Sequence, residues 1–193
     1  MTIGRLLRSS TTGFVFGCSV PEPDVPRFGE FVKAPSQHGQ VDVMGLVYDI
    51  VMDDDPFVRQ MVATPDLKDE YVLDMRQNRS IPIEVSVIAV GYQDNGSWAQ
   101  ALPPQPPVTL DRISQCSIDE VLDFTAHFDY LRLLLESRDA PVDELIAVSL
   151  RRAATLRAPG EQNRFLRDAG RELARLLSRD LIRLENLLRR IKP

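Results

Sequence analysis

The period of the apolar residues changes near Ser117, and that change restricts the chain to a fold with two differently built halves. Before it, apolar residues alternate with polar ones in short runs cut by Gly, Pro and Asp, the signature of strands. After it, they recur every three or four residues, the spacing of helices that bury one face. The stretch Pro103-Pro104-Gln105-Pro106-Pro107 lies at the boundary. An α+β chain follows, with a small β-barrel over residues 1–115 and an all-α region of about three helices over 117–193.

In the first half, Ile3 to Leu7 reads as a strand, and Phe14, Phe16, Cys18 and Val20 alternate with Val15, Gly17 and Ser19. Pro21, Pro23 and Pro26 lack an amide donor and end ladder pairing. A short extended piece from Gly29 stops at Pro35. Val41 to Met52 is a strong strand, with Gly45 as a bulge or bend. At Asp53-Asp54-Asp55-Pro56, Asp55 suits an N-cap and Pro56 the first helical position, so a helical excursion is expected over about 56–76. Ile81, Ile83, Val85, Val87 and Ala89 alternate strictly, predicting one inward face. Asn95-Gly96 is a hairpin signal that returns the chain through Trp98.

The second half opens with Ser117-Ile118-Asp119-Glu120, a capping box in which each side chain satisfies a free helical amide. Val121, Phe124, Phe128, Leu131 and Leu134 predict one helix to about Ser137, and a second starts at Pro141 and stops at Pro159-Gly160. A third, long helix is expected from Glu161 to Ile191, with Leu166, Leu173, Leu177, Leu184, Leu187 and Ile191 on one seam interrupted by Asp180.

The N-terminal pieces Ile3-Gly4-Arg5, Phe14-Val15-Phe16, Phe28-Gly29-Glu30-Phe31-Val32, Met44 to Ile50, Ile83 to Gly91 and Pro103 to Leu110 resemble, in this order, the HAS-barrel. That barrel heads the HerA-type DNA-translocating ATPases and is distantly similar to the N-terminal barrels of rotary ATP synthase subunits. The resemblance covers roughly residues 1–115 and implies a role in assembly, since such barrels line up in rings or dock onto partners. The ATPase core is another matter. Its G-x-x-x-x-G-K-[ST] loop cradles phosphate on glycine amides and neutralises it with lysine. Beyond Ser117 the only glycines are Gly160 and Gly170 and the only lysine is Lys192, so that core is excluded.

Composition narrows the remaining choices. At 193 residues, with 44% hydrophobic and 26% charged residues, the chain has the make-up of an ordinary globular protein. No apolar run approaches the ~20 residues of a membrane span. Thr11 to Val20 is too short and too broken for a signal peptide, so a cytoplasmic location is expected. Cys18 and Cys116 are far apart with no CxxC partner, which argues against a structural disulfide. His38 and His127, the only histidines, lack close-spaced ligand partners, so no metal site is expected. No nucleophile elbow or triad pattern appears. No catalytic, cofactor-binding or metal residue is assigned, and the chain is read as not an enzyme.

Charge is uneven. Residues 1–117 hold 9 basic and 15 acidic residues, whereas 160–193 hold 9 basic and 5 acidic. Arg167, Arg171, Arg175, Arg179 and Arg183 repeat every four residues along the last helix. As flanks of the leucine seam they can lie along apolar surface with their heads in water, pairing with Asp168, Glu172 and Glu185. They can also meet an acidic partner or nucleic acid. If the two preceding helices do not cover the whole seam, the exposed strip needs another surface. The expected partner-binding residues are therefore Leu173, Leu177, Leu184, Arg167, Arg171, Arg175 and Arg179. They suit an adaptor or assembly protein that docks by barrel and helix, with a separate ATPase or a second copy as partner. The alternative is a nucleic-acid-binding accessory of a DNA-translocating ATPase.

Overall fold

In the computed structural model, which describes residues 1–18, 26–52 and 83–192, the alternating first half wraps into a closed cylinder. Among the described residues the strands are β1 (Thr2–Ser9), β2 (Gly13–Cys18), β3 (Phe31–Ser36), β4 (Val41–Met52), β5 (Ile83–Asp94), β6 (Ser97–Ala99) and β7 (Arg112–Gln115). Six of them run antiparallel in the order β2-β1-β7-β3-β4-β5, and β5 pairs again with β2 to close the barrel. Strand β6 hangs on the far end of β5. The excursion expected over about 56–76 and the helix start at Pro56 lie outside the described residues.

Period-two patterning decides which side chains enter the barrel. Ile83, Val85, Val87 and Ala89 of β5 join Phe14 and Phe16 of β2, Ile3 and Leu6 of β1, Val43 and Val47 of β4 and Ile113 of β7 in one interior cluster. Gly45 marks a shift of register between Met44 and Gly45. A Cβ there would lie 2.3 Å from Val87 Cγ1, so only glycine allows β4 and β5 to approach. The β5–β6 hairpin turns on Asn95 (φ 50°) and Gly96 (φ 81°), the two positive angles that a two-residue turn of this hand requires.

Two strand expectations change. β3 continues through Pro35 to Ser36, because β7 pairs only with Val32 and Lys33 and leaves room for a residue without an amide donor. β7 itself carries one apolar residue, Ile113, too little for a sequence signal, yet it joins β1 to β3.

The helical region contains five helices rather than about three: α1 (Ile118–Phe124), α2 (Tyr130–Glu136), α3 (Val142–Thr155), α4 (Pro159–Leu176) and α5 (Leu181–Ile191). The capping box forms as expected, Ser117 Oγ accepting from the Glu120 amide and Glu120 accepting from the Ser117 amide. The single helix expected to Ser137 breaks after Phe124. Side chains from elsewhere take over the backbone groups freed there. Gln100 donates to the carbonyls of Phe124 (2.6 Å) and His127 (3.1 Å) and accepts from the Tyr130 amide (2.9 Å). Arg157 donates to the carbonyl and hydroxyl oxygens of Thr125.

The long last helix is likewise two. Asp180 accepts from the Arg183 amide at 3.1 Å and caps α5, which folds back beside α4 and α3. Gly170 allows this close approach, since a Cβ there would lie 3.2 Å from Leu188 Cδ2.

A second core lies between the barrel's outer wall and these helices. Phe31, Met44, Leu46, Ile88 and Val90 point outward and pack with Val121, Phe124, Tyr130, Leu131, Leu145, Ile146 and Leu150. Phe124 makes edge contacts with Phe31 (6.2 Å) and Trp98 (5.6 Å). Strand β5 therefore serves two cores, which explains why its burial changes from alternating to continuous at Val87.

Candidate functional site on the helical layer

The outer face of α4 and the turn into α5 carry the arginines singled out by their spacing. Arg164, Arg171 and Arg175 have side chains 81%, 78% and 66% exposed, and Arg167 and Arg179 are also exposed. Arg171 Nη1 lies 2.8 Å from Asp168. Arg175 forks onto Glu172, whose carboxyl it holds below the usual range. Neither Arg167 nor Arg179 has an ion-pair partner among the described residues. The row does not continue to Arg183, which turns inward and binds Asp143 of α3 at 2.7 Å, while Arg190 pairs with Glu144.

The leucines lie beneath this face. Leu173 and Leu177 are buried, and Leu184 is half-buried against the same core. Leu173 and Leu177 share a core with α3 and α5, Leu184 joins it from α5, and together they hold the arginine-bearing helix in place. The exposed apolar residues here are a pair that the seam pattern passes over, Leu181 (69%) and Ile182 (79%), next to Arg179 at the α4–α5 corner. Their signal was positional: they directly follow the capping Asp180 and lie off the seam.

Other chemistry-bearing residues are separated. His127 borders an open cleft of about 610 Å³ with Asp123, Asp129 and Trp98. Among the described residues no three His, Cys, Asp or Glu side chains converge on a point where a metal could sit. Cys116 adjoins another cleft with Glu30 and Arg152, but burial raises its thiol far above neutrality, so it stays protonated and poorly nucleophilic. One three-member ion cluster joins the two halves. Lys33 of β3 reaches Asp42 of β4 (3.0 Å) and Glu120 of the capping box (2.5 Å), tying barrel to helix.

No helix among the described residues is long and apolar enough to cross a membrane. Compared with models of known protein families and with curated proteins, the chain matches none.

Proposed function

We propose that this chain is a non-catalytic adaptor or assembly protein of the cytoplasm. In this reading a HAS-type barrel and the outer face of α4 and α5 dock onto a larger protein complex. The observation that carries it is the α4–α5 corner, where Leu181 and Ile182 stand exposed beside Arg179, with Arg167 and Arg171 exposed on α4. An apolar anchor rimmed by guanidinium groups is the composition of a protein-binding patch rather than of an inert surface. Arg167, Arg171, Arg175 and Arg179 supply its charge, and Leu173, Leu177 and Leu184 support it from below. A separate ATPase and a second copy of the chain are the candidate partners.

The test is affinity purification of the full chain with mass spectrometry, alongside a variant carrying Leu181→Ser, Ile182→Ser and Arg179→Glu. A partner captured by the wild type and lost by the equally folded variant supports the reading. Partners indifferent to these changes overturn it.

The alternative, a nucleic-acid-binding accessory, is favoured by Arg167 and Arg179, which have no ion-pair partner among the described residues, but weakened by the carboxylates on Arg171 and Arg175. Phosphate binding would show as affinity that falls steeply with salt.

A further inference from the structure

The outer face of β1 and the strand-like chain leading into β7 carries three locally unfavourable features together. First, Arg5 stands directly opposite Arg112 across the β1–β7 ladder. Like charges in that position repel. Among the described residues neither guanidinium has an ion-pair partner; Arg5 Nη1 instead donates to the Leu110 carbonyl at 2.9 Å. Second, Leu110 has φ 73°, a left-handed conformation that its Cβ disfavours. Third, the face is apolar where it meets water, with Leu7, Val108 and Leu110 exposed by 43%, 57% and 66%.

Register places these residues near one another. The Leu110 amide donates to the Leu6 carbonyl and the Leu6 amide to the Asp111 carbonyl, both at 2.9 Å, so Leu110 and Asp111 form a bulge opposite Leu6, the residue before Leu7. Leu7 in turn lies over Gly17 of β2, within 3.7 Å of where a Cβ would be. The surface is thus a low apolar shelf, Leu110–Leu7–Gly17, bordered by Arg5 and Arg112. The Arg5 bond and the bulge at Leu110 hold these groups in place, and departures from local rules concentrate where a surface has work to do.

We propose that this shelf docks an acidic, apolar-anchored segment of a partner protein, whose carboxylates bridge Arg5 and Arg112 while an aliphatic side chain covers Leu7 and Leu110. The proposal rests on the adaptor reading and names a partner chemistry for its barrel side. Charge selects the occupant. A two-fold contact between copies would bring the Arg5 and Arg112 pairs of both chains together, which electrostatic complementarity opposes. Nucleic-acid phosphates would meet the arginines but have no use for exposed leucines.

The test uses the full chain and labelled synthetic peptides read by fluorescence anisotropy: one of alternating Glu and Leu, one of alternating Lys and Leu, and a single-stranded oligonucleotide. The Glu/Leu peptide is expected to bind, and Arg112→Glu and Leu110→Gly each to weaken it about tenfold. Leu110→Gly also removes the strained angle, so its thermal midpoint should hold or rise while binding falls. A purely structural role for Leu110 would not give that split. The proposal is overturned if the Glu/Leu peptide does not bind or if both variants bind it like the wild type. Equal binding of the Lys/Leu peptide or the oligonucleotide, or self-association lost in these variants, overturns it as well. A partner that depends on Leu181 and Ile182, together with indifferent shelf variants, would leave the adaptor reading standing and remove only the shelf.

Discussion

Tyr130 is wholly buried among Phe31, Phe124 and the α3 side chains, yet its hydroxyl finds no hydrogen-bond partner among the described residues. A buried polar group left unmatched costs about 1–3 kcal/mol. Tyr130→Phe keeps the ring contacts and removes that cost. Its stability in urea should equal or exceed the wild type by about 1 kcal/mol, whereas a clear loss would mean that the hydroxyl is satisfied in solution. Single residues with a local task were legible in the sequence: Gly45 at its bulge, Asn95-Gly96 in the turn, Ser117 and Glu120 at the cap. Gln100 was not. Its task is to serve Phe124, His127 and Tyr130, some 24 to 30 residues away, and no local pattern encodes that.

At the scale of elements, boundaries were harder to read than element types. The seam from Leu166 to Ile191 has helical period throughout, so periodicity alone joins α4 to α5. Asp180 is the dividing signal, a residue that interrupts a seam because it caps the next helix. Asp180→Ala should cost about 1 kcal/mol in thermal or urea unfolding, the usual value of an N-cap; no change would mean the cap bond is dispensable.

The junction of β3, β4 and α1 should be pH-sensitive in a defined sense. Burial works against the charge on Glu120, but the Lys33 ammonium and the Ser117 bonds prevail and lower its carboxyl below the ordinary range. Its contribution is present above about pH 4 and disappears as pH falls through the folded value. For Lys33, burial is again opposed, and its bonds to Glu120 and Asp42 raise it above 10.5. That contribution is complete below 10.5 and is lost as pH rises past the folded value. The melting-temperature difference between wild type and Lys33→Met should therefore be widest near neutrality and narrow at both extremes. A difference constant with pH would sink this account.

For the whole molecule, the α+β plan and the order barrel-then-helices were legible, because the apolar period switches from two to three-and-four at Ser117. The way the halves join was not. Met44, Leu46, Ile88 and Val90 read simply as strand residues, and only the closed barrel shows that they face outward onto the helices. The arginine spacing was likewise visible, but the inward turn of Arg183 and the exposure of Leu181 and Ile182 depend on where α5 folds back. Since the second core takes residues from both halves, the molecule should unfold as one unit. Fluorescence of Trp98, which packs on Phe124 at the junction, should change in the same transition as far-ultraviolet dichroism. Two separated transitions would instead mean that the halves are independently stable.

That shared wall also sets an order of events during synthesis. A ribosome delivers the chain from its N-terminus, and β1 cannot be joined to β3 until Arg112–Gln115 has emerged. Even then, Phe31, Met44, Leu46, Ile88 and Val90 stay bare until α1 to α5 arrive. The nascent barrel thus passes through an interval as a sticky, half-covered object. A stop codon after Gln115 would make that interval permanent, and the released fragment would be a client for chaperones rather than a working miniature of the protein.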